Sequence, residues 1–352
     1  MKIAQIAPLY ESVPPRFYGG TERVVSHLTE ELVALGHEVT LFASGDSVTT
    51  ARLCATRERS LRLDGACVDT FPHHFVHLEN VFRQAEQFDI LHFHVDYLHY
   101  PWSRRAGRPH VTTLHGRLDI PDLIPLYREY AELPLVSISH DQRRPLPSAN
   151  WVGTVHHGLP TDIYPFHPEP GSYLAFLGRI SPEKRVDRAI EIAIGAGLPL
   201  KIAAKVDRAD RDYFATTIQP LLDHPLVEFI GEIGEAQKAE FLGQALALLF
   251  PIDWQEPFGL VMIEAMACGT PVIAWPLGSV PEVMTDGISG FVVSNIEEAV
   301  RAVDKVTRLD RKTCRRYFEQ RFSVRRMALD YLAVYQSIYG SSSGRPARLV
   351  AN

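Results

Sequence analysis

Cysteine is scarce in this sequence. The 352 residues include four cysteines, Cys54, Cys67, Cys268 and Cys314, and no two of them form a Cys-X-X-Cys pair. Cysteines this sparse exclude a disulfide framework in a chain of this length. We therefore expect buried, reduced thiols, as is usual for a cytoplasmic protein.

Long apolar runs are also missing. A membrane-spanning helix needs about 18 apolar residues or more, and the best window, 258–275, is interrupted by Glu264, Gly269 and Pro271. The apolar stretch 1–8 is too short for a signal peptide and is typical of a first β-strand. These absences predict a chain with no transmembrane segment, although peripheral contact with a membrane stays open.

Positive charge is not in excess either. Lysine and arginine number 36 against 42 aspartate and glutamate residues, which gives a formal net charge of −6. Proteins that wrap phosphate backbones need a surplus of basic residues, so nucleic acid is not an expected partner. The hydrophobic share of 46% and the charged share of 22% are typical of a globular protein.

Short apolar runs alternate with helical-period segments, a pattern that predicts parallel β-sheets built from βα units. The alternation breaks at 158–171, which holds four prolines and two glycines and suits an interdomain connection. The fold class expected is α/β, with two doubly wound Rossmann-like sheets. The strands are predicted near 2–7, 38–43, 89–94, 110–114, 134–138 and 152–156, and then near 173–178, 200–204, 227–230, 246–250, 271–274 and 290–293. The domains are predicted at 1–160 and 161–324, followed by a C-terminal helix at 325–340 that packs back on the first domain and a disordered tail at 341–352.

The segment 254–271 is the most informative part of the sequence. Every residue from Phe258 to Cys268 is apolar or glycine except Glu264, so this predicted helix should be buried. Pro257 suits the first helical position and Gly269 the end. A carboxylate inside such a helix needs a partner, which can be a ligand hydroxyl or a buried arginine. Glu256 is expected at the helix start, where anions are attracted, or else facing solvent.

The spacing from Glu256 to Glu264 matches the E-x7-E motif of the retaining glycosyltransferases of family four, and the chain resembles that family over nearly all of residues 1–340. Gly178 to Lys184 is similar to the family's G-R-x-x-x-x-K segment, and a Gly19-Gly20 loop follows the first strand. Within the family the chain most resembles the branch named for an avilamycin-pathway glycosyltransferase. The resemblance implies the GT-B fold, in which two Rossmann-like domains face each other across a cleft.

The resemblance also implies functional residues. The catalytic candidates are His115, Glu256, Arg179 and Lys184: the two cations would stabilise the leaving diphosphate, Glu256 would meet the transferred sugar and His115 would bind sugar hydroxyls. The donor-binding candidates are Gly19, Gly20, Thr21, Arg179, Lys184, Glu256, Phe258, Gly259, Leu260 and Glu264, of which Glu264 would meet the ribose. Arginine offers a forked donor for phosphate oxygens and lysine a point charge, which fits both assignments.

The acceptor pocket is predicted from position alone. His94, Asp96 and Tyr97 leave the carboxyl end of a predicted strand, the edge at which open sheets bind ligands. No metal or other cofactor is expected, because the histidine groups at 73–77 and 92–99 lack further ligands. The Asp-Arg-Asp sequence at 210–212 lies in a mixed-charge stretch that predicts a solvated surface.

The function expected is transfer of a hexosyl group, with retention, from a nucleoside-diphosphate sugar to an unidentified hydroxyl acceptor. A UDP-hexose is ranked ahead of GDP-mannose and ADP-glucose as the donor. A nucleotide-sugar epimerase of the same fold and a catalytically silent sugar-nucleotide-binding protein are the alternatives. A nicotinamide-dependent dehydrogenase is disfavoured because Gly19-Gly20 is not a G-x-G-x-x-G fingerprint.

Overall fold

The computed structural model describes residues 1–16 and 19–343 of the chain. Two parallel sheets form its framework, and each carries helices on both faces. The last helix extends to Ser343, so residues 341–343, predicted as tail, are helical, and the rest of the predicted tail lies outside the described residues. Among the described helices none is long and apolar enough to cross a bilayer.

The first sheet has seven strands in the order β3-β2-β1-β4-β5-β6-β7, all of them parallel. The strands are β1 (Lys2–Ile6), β2 (Glu38–Ala43), β3 (Arg52–Ala55), β4 (Ile90–Phe93), β5 (His110–Thr113), β6 (Leu135–Ser137) and β7 (Trp151–Thr154). Strand β3 was not predicted, because this edge strand is half exposed and carries no apolar run.

The second sheet has six parallel strands in the order β10-β9-β8-β11-β12-β13. The strands are β8 (Tyr173–Arg179), β9 (Leu200–Lys205), β10 (Val227–Gly231), β11 (Ala245–Phe250), β12 (Val272–Ala274) and β13 (Gly290–Val292). Strand β11 is buried at every position, as expected of a central strand covered on both faces. The two sheets confirm the predicted fold class.

Twelve α-helices lie in the described part of the chain. They are α1 (Gly20–Ala34), α2 (Phe71–Arg83), α3 (Tyr100–Ala106), α4 (Leu123–Glu129), α5 (Val186–Ala196), α6 (Arg211–Tyr213), α7 (Glu235–Gly243), α8 (Leu260–Ala267), α9 (Val280–Val283), α10 (Ile296–Val306), α11 (Arg311–Arg321) and α12 (Val324–Ser343). Helices α2, α3 and α4 cover the first sheet in stretches where no helix was predicted.

Helix α12 returns to the first sheet and packs in its core. Tyr331 and Tyr335 are fully buried there, in one apolar cluster with Ile3 and Val111. The Tyr335 hydroxyl lies 3.0 Å from the Gln5 amide nitrogen. The C-terminal helix therefore fixes polar side chains of the central strands, just below the edge where these strands end.

Candidate active site

A cavity of about 640 Å³ lies between the two sheets, at the carboxyl ends of their strands. Every site residue predicted from the sequence lines this cavity. The first domain contributes Gly19, Gly20, Thr21, His94, Asp96, Tyr97 and His115, and the second contributes Arg179, Lys184, Glu256, Phe258, Gly259, Leu260 and Glu264. Parallel strands bring residues distant in sequence to one edge of a sheet, which explains how the residues of each domain converge.

Lys184 and Glu256 form an ion pair on the second-domain wall. The lysine and glutamate side chains are 17% and 11% exposed, and the Trp254 indole donates to the same Glu256 oxygen over 3.0 Å. The Lys184 ammonium lies 5.0 Å from the Trp254 ring centroid, within cation–π range. Both charges are thus held in place by groups of the second domain.

Arg179 ends β8 and faces three carboxylates. Its guanidinium lies 2.5 Å from Glu183 and 3.7 Å from both Asp207 and Asp210. The prediction that the stretch around Asp210 is a solvated surface is therefore wrong for this residue, whose side chain is 16% exposed. Charge alternation in the sequence could not reveal that this aspartate turns toward a cation from another strand.

The helix after Glu256 begins later than predicted. Helix α8 starts at Leu260, and Pro257 lies in the preceding loop, because Gly259 has a left-handed φ of 77° that interrupts the helix. A Cβ at Gly259 would lie 2.8 Å from the Met262 methyl and 3.1 Å from the Phe250 ring. Only glycine fits this turn without strain, and the turn sets Glu256 apart from the helix that carries Glu264.

Glu264 is buried, with a side chain only 3% exposed, and it has protein partners. Lys238 lies 3.0 Å from its carboxylate, and the Tyr164 hydroxyl donates to it over 3.1 Å. Tyr164 also contacts Glu235, which forms an ion pair with Arg23 of the first domain. The sequence reasoning missed Tyr164, Lys238 and Arg23, and no local motif could have indicated them.

A relay of buried polar side chains ends at His115. The His94 Nε2 lies 2.9 Å from the side-chain oxygen Oε1 of Gln5, and its Nδ1 lies 2.8 Å from His115 Nε2. Because the Gln5 oxygen can only accept, His94 carries its proton on Nε2 and accepts at Nδ1 from His115. The His115 ring therefore presents Nδ1 as an acceptor. Sequence reasoning did not find Gln5.

Burial keeps these imidazoles neutral. The pKa of His115 is lowered to about 3 because protein surrounds the ring on most sides, although the ring keeps some exposure to the cavity. The same desolvation lowers the pKa of His94 well below its usual range. The His157 ring lies parallel to His115, with a centroid distance of 5.4 Å. We expect His115 to act as a hydrogen-bonding group and not as a cation.

The three acceptor candidates occupy different positions. Both ring nitrogens of His94 are engaged in the relay, so it lies behind His115. Asp96 and Tyr97 follow β4 and are exposed to the cavity. Asp96 has a left-handed φ of 48°, which aspartate tolerates better than most residues. The cavity walls limit its hydration and raise its pKa to about 6.

Comparisons with known proteins agree with this architecture. Residues 18–152 match the family described as Glycosyltransferase Family 4, and residues 165–321 match Glycosyl transferases group 1. A D-inositol 3-phosphate glycosyltransferase of Mycobacterium leprae is 32% identical over 43% of this chain, and the match spans only 35% of that relative. A relative of the same name from Frankia alni is 26% identical over 84% of this chain and 86% of its own length.

Solved structures show the same fold. AviGT4, a glycosyltransferase involved in avilamycin A biosynthesis, superposes with a TM-score of 0.74 at 23% identity, over 97% of this chain and 98% of its own. HepE of Anabaena, in complex with UDP and glucose, superposes with a TM-score of 0.69 at 17% identity, over 98% of this chain and 100% of its own.

Proposed function

Because the chain belongs to the family 4 glycosyltransferases with the GT-B fold, we propose that it moves a hexosyl group from a nucleoside-diphosphate sugar to a hydroxyl acceptor with retention of configuration. The observation that carries the proposal is the convergence of the predicted site residues from both domains in one cleft. Arg179, Lys184, the two motif carboxylates and the neutral His115 all line that cavity, which suits an anionic sugar donor.

The proposed chemistry breaks the bond between the anomeric carbon and the β-phosphate oxygen. The electron pair leaves with the diphosphate, and Arg179 and Lys184 stabilise the charge that develops there. The acceptor oxygen forms the new bond on the same face of the sugar, and its hydroxyl proton passes to the departing diphosphate oxygen on that face. Glu256 is already held by Lys184 and Trp254, so we assign it to sugar hydroxyls and not to nucleophilic attack.

The remaining contacts are proposed from the family resemblance, and the cavity geometry supports them. We assign His115, with Nδ1 as an acceptor, to a hydrogen bond from a sugar hydroxyl. The turn at Gly259 and the start of α8 at Leu260 offer backbone N–H groups to phosphate or sugar oxygens. Glu264 is assigned to the ribose hydroxyls. Metal independence and a cytoplasmic location remain predictions from the sequence.

A UDP-hexose is the proposed donor. The support is that HepE, which shares the fold, forms complexes with UDP and glucose. An epimerase of this fold would convert the nucleotide sugar without an acceptor, so product analysis with and without acceptor separates the two functions. A silent binding protein would bind the nucleotide sugar and release no UDP.

A thermal-shift panel with UDP-glucose, GDP-mannose and ADP-glucose tests the proposal. A ligand at about 100 times its Kd should add about 2.7 kcal/mol to the free energy of unfolding. We expect stabilisation by UDP-glucose and its loss in Lys184→Met. Lys201→Met removes a paired lysine that does not line the cavity and serves as the control. Absence of stabilisation by all three nucleotide sugars would overturn the proposal.

A further inference from the structure

The wall that the first domain contributes to the cavity has an aromatic surface. Tyr10, Phe71 and Tyr97 line it, and their side chains are 37%, 55% and 39% exposed. Rings this exposed gain free energy when a ligand covers them. Ligand sites typically combine such apolar surface with a few polar groups.

The charge of this wall is equally informative. Among the described first-domain residues that line the cavity, the lysine and arginine residues are Arg23 and Arg62. Arg23 pairs with Glu235, and Arg62 lies 2.9 Å from the Glu11 carboxylate, whose side chain is 5% exposed. Both cations are therefore already balanced by carboxylates of the protein.

The histidines of the wall add no positive charge. Desolvation lowers the pKa values of His74, His94 and His157 as well as that of His115, so these rings are neutral near pH 7. Asp96 is exposed to the same space and adds negative charge when ionised. Among these groups the ionised Asp96 carboxylate repels a phosphorylated acceptor, whereas an uncharged acceptor meets no such repulsion.

We propose that this wall binds an uncharged glycoside as the acceptor, with one hydroxyl hydrogen-bonded to Asp96 and an apolar face against Tyr10, Phe71 and Tyr97. The proposal rests on the proposed function and adds the class of acceptor to it. A carboxylate accepts a charge-assisted hydrogen bond from a hydroxyl group, whereas it repels an anion. Asp96 would therefore orient the hydroxyl and select for the uncharged acceptor.

Two probes of matched size test this selection on the full chain, each titrated with and without saturating UDP. They are 4-nitrophenyl β-glucoside, which is uncharged and partly aromatic, and glucose 6-phosphate. Ligand-observed NMR or calorimetry should give the glucoside a Kd at least about tenfold lower than that of the phosphate. Equal or tighter binding of glucose 6-phosphate, or no binding of the glucoside in either state, would overturn the acceptor class.

Matched variants locate the site. Phe71→Ala should raise the Kd of the glucoside about three- to tenfold. Phe75→Ala removes the same side chain from the same helix α2, with 52% exposure, but its ring packs against Trp102 away from the cavity. It should leave the Kd unchanged. Equal effects of the two variants would refute this position for the subsite.

The last variant addresses the charge, and UDP binding separates the two proposals. Asparagine at position 96 tolerates the left-handed backbone as aspartate does. In Asp96→Asn the ratio of the glucose 6-phosphate Kd to the glucoside Kd should fall about fivefold. An unchanged ratio of the two Kd values would contradict the role of Asp96.

UDP binding should stay at the wild-type level in Phe71→Ala and Asp96→Asn. If the unaltered protein binds the glucoside but no UDP, the proposed function fails while the neutral subsite stands.

Discussion

Replacement of Lys184 by methionine tests the donor site most directly. Methionine keeps a long, unbranched side chain and removes the ammonium group. In the structure this ammonium pairs with Glu256 and lies over the Trp254 ring. The variant therefore removes one charge from a site that packing and an ion pair hold in place.

Two magnitudes follow from this environment. Breaking a fully buried ion pair costs about 3–5 kcal/mol, but Lys184 is 17% exposed and Glu256 keeps its bond from Trp254. We therefore expect a smaller loss of unfolding free energy, about 1–3 kcal/mol. A donor aimed at developing charge contributes about 10²–10³-fold to kcat, and we expect kcat/KM to fall by about that factor.

The assay follows UDP release from UDP-glucose with an acceptor, alongside urea unfolding of the same samples. Lys184→Arg restores a cation and should recover part of the rate. Lys201→Met should lose stability without losing rate, because Lys201 pairs with Glu228 and lies outside the cavity lining. A kcat/KM of Lys184→Met within about threefold of wild type would refute the role of Lys184 in leaving-group stabilisation.

Three further predictions concern other parts of the cavity. The pKa of Asp96 is raised to about 6, so its carboxyl group is mostly protonated below that pH. The affinity for the glucoside should therefore increase from pH 5 to 7, and Asp96→Asn should remove this pH dependence. ¹⁵N NMR should show neutral His115 protonated on Nε2 at pH 6, and Gln5→Leu should alter this tautomer signal; a charged imidazole at that pH would contradict the relay. Gly259→Ala should lower the unfolding free energy by about 1–3 kcal/mol in urea titrations, because its φ is left-handed and its surroundings are tight. Gly287→Ala, also left-handed but in open space, should lose less.

Much of this fold follows from local patterns in the sequence. The predicted strands are all present, with bounds that differ by at most two residues, because buried parallel strands have the sequence pattern of short apolar runs between helical segments. The proximity of Arg179 and Glu256 within the second domain also follows, since the carboxyl ends of parallel strands in one sheet meet at one edge. Edge strand β3 was not predicted, because it is half exposed and its sequence therefore has no continuous apolar run.

Other errors arose where one residue's conformation or a distant partner decides the structure. Apolar periodicity extends through Gly259, so the sequence predicts one helix from Pro257, whereas a single left-handed φ places the start at Leu260. Asp210 was assigned to a solvated surface because its neighbours are charged. Its actual environment is set by Arg179, 31 positions earlier in the chain, which a local charge pattern does not contain.

Arg23 shows why the facing of the two domains is the hardest feature to predict. Its side chain is only 5% exposed, although it lies on a helix whose charged residues would ordinarily reach solvent. Burying a cation is costly unless an anion lies nearby, and Glu235 of the other domain supplies that carboxylate. Glu235 in turn contacts Tyr164 and Lys238, the partners of Glu264. A carboxylate of the second domain therefore helps to balance the buried charge of the first, so electrostatics across the cleft, and not apolar packing alone, contributes to how the two halves of the site meet.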